Sequence, residues 1–314
     1  MRCWSEDNFI PFVSNSRAFT NGALRATWES SGGTLELSAG RRLQDLPDRP
    51  ILSRMVNSLL AQEGGRDQGD YALVDRAILT VTRRLDPSTT VTLGGGVERS
   101  RSVSTEATPA SGTYRPNPPL GAGTIGIGRV GIAYRQEALD GSRSTDAGLA
   151  IEAGRGDRDY ARITGRIGWL APAGPGGLML RAEAGVGTTE LPGYRSFAIG
   201  GWGTLPGEAF RAWGGRQMAL ATLEYRLAVP FPAIPLGAFA STGDRIMLAP
   251  FIAAGWAGGS IAALPWRPSH ELRPVAGLAV EWFQRLLRAE GGVSLRTGKL
   301  GISVDVNRNW WEIL

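Results

Sequence analysis

Few residues in this sequence have the types and spacing that chemistry requires. Cys3 is the only cysteine and His270 the only histidine among 314 residues. A disulfide framework and a metal site built from Cys or His are therefore excluded. The sequence has no Gly-x-Ser-x-Gly nucleophile turn and no phosphate-binding loop. We predict no catalytic residues, no metal site and no cofactor.

Charged residues are the larger set of candidate functional side chains. The chain has 34 Lys and Arg residues against 29 Asp and Glu residues, and Lys299 is its only lysine. The charges alternate with apolar residues and do not gather in one basic block, so nucleic-acid binding is not predicted. Charges of both signs opposite an apolar face suit a water-filled barrel lumen. The charges predicted to face this lumen are Arg25, Glu98, Arg129, Glu152, Arg166, Arg181, Glu183, Glu224, Arg226, Glu281, Glu290 and Asp305.

The same alternation predicts the strands that carry these charges. Most are about ten residues long, which is the length that a tilted strand needs to cross a bilayer. No apolar run approaches the roughly 18 residues of a membrane-spanning helix. We predict one short helix over residues 50–60. Gly64 and Gly65, which follow it, would stop the helix. The thirteen predicted strands cover residues 22–29, 34–41, 71–84, 88–100, 125–136, 147–154, 161–169, 178–187, 218–227, 246–255, 275–283, 287–296 and 300–310.

Residues 191–230 join a long Gly-rich loop to one of these strands. The density of glycine between residues 200 and 215 permits positive φ angles and close approach of the backbone to another wall. The loop is also rich in aromatic residues, including Tyr194, Phe197 and Trp202. Such side chains suit a loop that folds into a cavity better than one that extends into solvent. We therefore predict that this loop is packed.

Two runs in this stretch resemble the bacterial surface-antigen family. They are Phe197-x-Ile199-Gly200-Gly201-x-Gly203-Thr204-Leu205-x-Gly207 and Leu223-Glu224-Tyr225-Arg226. That family comprises outer-membrane barrel-assembly proteins and two-partner secretion transporters. The resemblance implies an all-β transmembrane antiparallel barrel of about sixteen strands, with the loop folded inward before the last five. The loop-motif and lumen residues that it implies are Gly200, Gly201, Gly203, Leu205, Gly207, Glu208, Glu224, Tyr225, Arg226, Phe251 and Gly255.

Three positions depart from the family pattern. The family has an arginine where this chain has Pro206, and an aromatic residue where it has Glu208. The acid that meets this arginine belongs to a Phe-x-Asp-x-Gly motif, and the corresponding residue here is Ala253. Loss of one partner leaves an unpaired charge in a partly buried site, whereas loss of both can be nearly neutral. We expect the inward loop to be present without this ion pair.

The expected organisation is an irregular lead-in at residues 1–16 and an outer-membrane barrel at residues 17–314, with residues 190–217 as the inward loop. Thirteen strands is an odd number, whereas single-chain bacterial barrels usually close with an even one. Residues 1–7 contain no apolar segment typical of a signal peptide. We expect further strands and any periplasmic domains to lie upstream of Met1, although a closed barrel of about twelve or fourteen strands remains an alternative.

The expected function is insertion of polypeptides into the bacterial outer membrane or their translocation across it. The expected partners are outer-membrane lipid and an unidentified client polypeptide. A passive pore is the first alternative, and it would conduct whether or not the loop is present. A barrel enzyme is the second, because residues 15–22 resemble an N-terminal motif of outer-membrane lipid A deacylases. That enzyme would need His270 as its base.

Overall fold

The computed structural model describes residues 22–46, 53–65, 67–104, 113–114, 116–235, 241–261, 264–283 and 285–306. The predicted lead-in at residues 1–16 lies outside these ranges. So do the last four residues of the predicted final strand and most of the deacylase-like motif.

One antiparallel sheet of thirteen strands forms the molecule, and its strands follow chain order from first to last. The predicted all-β fold and the predicted strand number are confirmed. Two further strands, β9 (Phe197–Ile199) and β10 (Trp213–Gly215), pair with each other inside the connection between β8 and β11. The strands of the large sheet are β1 (Gly22–Ser30), β2 (Gly33–Asp45), β3 (Tyr71–Arg84), β4 (Thr89–Ser102), β5 (Gly123–Glu137), β6 (Ser144–Gly156), β7 (Tyr160–Ala173), β8 (Gly176–Gly187), β11 (Gln217–Pro230), β12 (Arg245–Gly258), β13 (Arg273–Trp282), β14 (Leu287–Ser294) and β15 (Leu300–Val306).

The one α-helix among the described residues, α1 (Arg54–Gly64), lies a few residues beyond its predicted position. Its start is fixed by Ser53, whose Oγ accepts a hydrogen bond from the amide of Val56 at 3.2 Å. It ends where predicted because Gly65 adopts a left-handed conformation with φ 59°. Within the described ranges, no helix is both long enough and apolar enough to cross a membrane.

Helix α1 also joins distant parts of the sheet. The amide and hydroxyl of Ser53 donate to the two carboxylate oxygens of Asp305 on β15, at 3.2 and 2.5 Å. The Tyr114 hydroxyl, in the β4–β5 connection, donates to the carbonyl of Ala61 at 3.0 Å. The connection between β2 and β3 is therefore attached both to the last described strand and to a neighbouring loop.

One face of the sheet carries a continuous apolar band. Strand register aligns Leu35, Val81, Leu93, Val130 and Ile151 in one row across β2 to β6. Each of these side chains is more than a third exposed, with Ile151 at 46%. A band of this size facing water would be unfavourable, whereas it suits contact with lipid chains. We call this the outward face and the opposite one the lumenal face.

The connections differ in length at the two ends of the sheet. Residues 31–32, 85–88 and 174–175 form tight turns at one end. At the other end, residues 46–70, 103–122 and 188–216 form long connections, and we call this the loop-bearing end. In outer-membrane barrels the short turns face the periplasm and the long loops face outward from the cell.

The outward band makes a prediction about folding into a bilayer. Ile151→Arg should destabilise the folded barrel by about 2–4 kcal/mol, because it places a charge among lipid chains near mid-strand. Leu139→Arg, in the turn between β5 and β6, should cost less than about 1 kcal/mol because that residue is fully exposed beyond the strands. Urea titration of barrel refolded into phospholipid vesicles measures both values. Equal costs would mean that β6 does not contact lipid.

Candidate functional site

The connection between β8 and β11, residues 188–216, occupies the lumenal face and is named here the lumenal loop. Its side chains contact strands from both halves of the sheet, from β2 to β14. A single loop can reach such distant strands only if the sheet curves around it. Its most buried residues include Leu191, Tyr194, Arg195, Ile199 and Leu205, each with at most 2% of its surface exposed.

Arg195 attaches the first part of the lumenal loop to the wall. Its guanidinium lies 3.1 Å from a carboxylate oxygen of Glu98 on β4 and 3.0 Å from one of Glu152 on β6. Glu152 also pairs with Arg129 and accepts a hydrogen bond from the hydroxyl of Tyr160 at 2.8 Å. All three members of the Arg195, Glu98 and Glu152 cluster are at most 4% exposed. A buried charge needs such partners because removal from water is costly.

Aromatic rings add to these attachments. The guanidinium of Arg195 lies 5.3 Å from the ring centre of the neighbouring Tyr194, a cation–π distance. Burial raises the pKa of the Tyr194 hydroxyl, and the negative charge of Glu98 raises it further. The tyrosine therefore stays neutral. From the wall, Arg162 and Arg273 stack on loop aromatics in the same manner.

Arg211 attaches the last part of the lumenal loop at the loop-bearing end. It pairs with Asp45, at the end of β2, at 2.5 Å and with Asp70, just before β3, at 3.3 Å. Arg211 has φ 49°, a left-handed conformation that is uncommon for residues other than glycine. Strain of this kind persists where surrounding contacts fix the residue. The two carboxylates and the carbonyl of Gln68, at 3.4 Å, provide those contacts.

Between these two arginines, the loop contacts β12 through apolar residues. Ile199 and Leu205 belong to one buried cluster with Phe251 and Ala253. Ala253, which the sequence resemblance matches to an aspartate of the family, belongs here to an apolar contact between loop and wall. At Gly255, an added Cβ would lie 3.0 Å from the side chains of both Ile199 and Leu205. Glycine is needed there to let the loop approach.

The tip of the loop presses against β14 and β15. Gly292 and Gly301 are register partners on these strands, and a Cβ added at Gly292 would lie 2.9 Å from Cγ of Pro206. Gly207 follows with φ 98°, which other residues rarely adopt. Glu208 then accepts hydrogen bonds from Trp213 Nε1 at 3.1 Å and from Ser294 Oγ at 2.8 Å. Two small residues on the wall therefore form a seat for the tip.

A second charged network lies on the lumenal face of β8, β11, β13 and β14. Arg288 contacts Glu224 and Glu281 at 3.0 Å each and Glu290 at 3.1 Å. Arg226 pairs with Glu281. Among the described residues, Glu224 and Arg226 therefore bind wall residues and not the lumenal loop. We assign this network to shaping the lumen.

The structure divides the sequence-predicted site residues into three groups. Glu224 and Arg226 belong to the wall network. Tyr225 is a correction, because strand alternation places it on the outward face, where its hydroxyl donates to the carbonyl of Ala173 at 3.0 Å. The remaining residues belong to the loop and to its contact with the wall. Gly200 and Gly201 pack within the loop against Ala209, Phe210 and Ala212. The residues at the contact with the wall are Gly203, Leu205, Gly207, Glu208, Phe251 and Gly255.

Sequence reasoning missed both anchoring arginines. Glu98 and Glu152 were predicted as lumenal charges, but no cation on the loop was matched to them. The available signal was that buried carboxylates require a cationic partner. Strand periodicity could not identify Arg195 as that partner, because the loop has no period of its own.

Comparison with known proteins supports the architecture. No family model and no curated protein matches the sequence. Among solved structures, the fold is similar to BamA from Haemophilus ducreyi lacking POTRA domains 1–3, with TM-score 0.62, 14% identity and 91% of this chain covered. It is also similar to CdiB from Acinetobacter baumannii and from Escherichia coli, with TM-scores 0.58 and 0.53, identities of 15% and 12%, and 91% and 90% of this chain covered.

These likenesses establish the fold. The chain spans 62% of the BamA structure and 50% and 51% of the two CdiB structures. The predicted antiparallel barrel-type sheet with an inward-folded loop is therefore confirmed as an architecture.

The Arg195 cluster makes a prediction about stability. Arg195→Met should destabilise the barrel by about 3–5 kcal/mol, because it leaves Glu98 buried without its cation. Arg195→Met combined with Glu98→Leu should recover much of that loss, since both charges are then absent and Glu152 keeps Arg129. Urea unfolding of the two variants, with Glu98→Leu alone completing the double-mutant cycle, measures the coupling. A cost below about 1 kcal/mol for Arg195→Met would contradict a buried anchor.

Proposed function

We propose that this chain is an outer-membrane barrel that inserts or translocates polypeptides, with the lumenal loop as the element that closes its interior. The observation that carries this proposal is the attachment of one loop to the lumenal wall by two buried arginine clusters. The outward apolar band and the similarity to BamA and CdiB barrels support the outer-membrane location.

The attachments suggest how such a barrel would be gated. Arg195 and Arg211 hold the two flanks of the loop near β2, β4 and β6, while Pro206 and Glu208 rest on β14 and β15. The tip has fewer polar bonds than the flanks, so it is the part that a substrate would displace first. Its displacement would expose a lumen lined by Glu224, Arg288 and their partners. Charges of both signs suit passage of a hydrated chain.

A passive pore is less well supported by this geometry. A permanently open channel would not need a loop fixed by buried ion pairs, each of which requires close positioning to offset its desolvation. The enzyme alternative has less support still. His270 is exposed in the β12–β13 connection, and residues 15–21 of the deacylase-like motif lie outside the described ranges. The neighbours reported above give no catalytic precedent.

We also propose that a client polypeptide depends on this barrel. Loss of the gene in its native host would separate the alternatives by comparing proteomes. Depletion of many barrels from the outer membrane would indicate insertion, and loss of one large secreted protein would indicate translocation. An unchanged proteome would favour the passive pore and contradict the proposal.

The seat of the loop tip makes a prediction about gating. Gly292→Val should displace Pro206, because even a Cβ at this position would lie 2.9 Å from the proline ring. Single-channel conductance in planar bilayers should rise towards that of a variant lacking residues 191–215. Gly291→Val is the matched control, since its nearest neighbours would lie 3.9 Å away. Equal and steady conductance in all of these proteins would indicate a pore that the loop does not close.

A further inference from the structure

The outward face carries charges as well as the apolar band, and they lie at the loop-bearing end. Along β2 the outward residues are Leu37, Ala39 and then Arg41. From Arg41, strand pairing forms a row across the sheet. Its members are Arg41, Asp75, Arg99 and Thr124. The row therefore lies where the apolar band ends.

This row has an excess of positive charge. Arg41 and Arg101 share the carboxylate of Asp75, at 2.5 and 2.8 Å. Arg99 on β4, opposite Asp75, and Arg155 on β6 form no ion pair within the described part of the chain, and both are exposed. The acids on this surface therefore balance only part of the arginine charge. An arginine without a carboxylate at a membrane surface is available to bind an anion.

Small residues form grooves directly below these arginines. A first shallow, open groove is lined by Ala77, Val97 and Arg99, among others. A second shallow groove is lined by Gly126, Gly128, Ala153, Arg155 and Asp159, among others. Val97 and Gly126 are register partners, so the two grooves are adjacent. At Gly128 an added Cβ would meet nothing within 4 Å, which leaves space for a ligand chain.

We propose that this surface binds a membrane lipid with a phosphorylated headgroup in the leaflet at the loop-bearing end. Arg99 and Arg155 would bind the phosphate groups, because guanidinium matches phosphate oxygens in bidentate geometry. The acyl chains would lie over Ala77, Gly126 and Gly128 and continue onto the apolar band. A lipid fits this surface because the arginines complement a phosphate headgroup and the apolar residues next to them suit acyl chains. The two parts meet at the depth where headgroups join chains in a bilayer.

A lipid explains both the arginines and the apolar grooves next to them. A free phosphate ion would use the arginines but not the apolar grooves. A protein partner would have to displace lipid from the adjoining band, where Leu79 and Leu93 are exposed. The arrangement of charge and apolar surface therefore favours a lipid of the same bilayer.

The test uses the full chain in phosphatidylcholine nanodiscs titrated with lipid A, a glycolipid with phosphate groups, and bound lipid is counted by native mass spectrometry. Arg99→Gln combined with Arg155→Gln should weaken lipid A retention by at least about tenfold, because two charged hydrogen-bonding groups are lost. Arg83→Gln is the matched control, since Arg83 lies on the outward face of β3 at the opposite end. It should leave retention unchanged.

Further arms keep the result interpretable. Heat-modifiable mobility and circular dichroism confirm that each variant is folded. Unchanged retention in the double variant would overturn the proposal, and so would equal weakening by Arg83→Gln, which would indicate unspecific charge attraction. Inorganic phosphate that displaces lipid A at equal concentration would assign the site to the free ion and would also overturn it. Arg99→Lys should retain part of the binding, since the charge remains without the bidentate fork.

Discussion

The burial of one guanidinium between two carboxylates constrains the interior of this protein. Arg195 lies almost without solvent contact between Glu98 and Glu152, which belong to different strands. Glu98 cannot lose this partner without a large desolvation penalty, whereas Glu152 would keep Arg129. The first part of the lumenal loop is therefore fixed relative to β4 and β6. The tip lies on the opposite wall through its own contacts with Gly292 and Ser294.

The two kinds of loop attachment have different physical properties. The arginine clusters are directional and depend on exact placement of charge, so they specify one position for each flank. The contacts of Leu205 with Ala253, and of Pro206 with Gly292, depend on shape alone. An apolar contact of this kind can slide or separate without leaving a buried charge behind. The strongest attachments therefore lie at the two flanks of the loop and not in its middle.

The sequence predicts the wall of this barrel much better than its interior. Alternation locates all thirteen strands because every strand presents the same two environments, and Tyr71–Arg84 is predicted to the residue. The three-residue strands Phe197–Ile199 and Trp213–Gly215 are too short to show a period. Arg195 could not be matched to its acids because that contact depends on the curvature of the sheet. The prediction that Pro206 and Ala253 replace an ion pair of the family stays a prediction, although both residues lie in apolar contacts between loop and wall.

Alternation also explains why the outward arginines were not predicted from the sequence. Charges on strands are readily assigned to the lumen, and that assignment holds for Glu98 and Glu152. Arg99 directly follows Glu98, so it must face the opposite side. Along β2 the outward residues change from leucine to alanine and then to arginine. This order indicates increasing distance from the bilayer centre. The alternation of residues along the strands therefore indicates both which side chains line the lumen and how deep the barrel lies in the membrane.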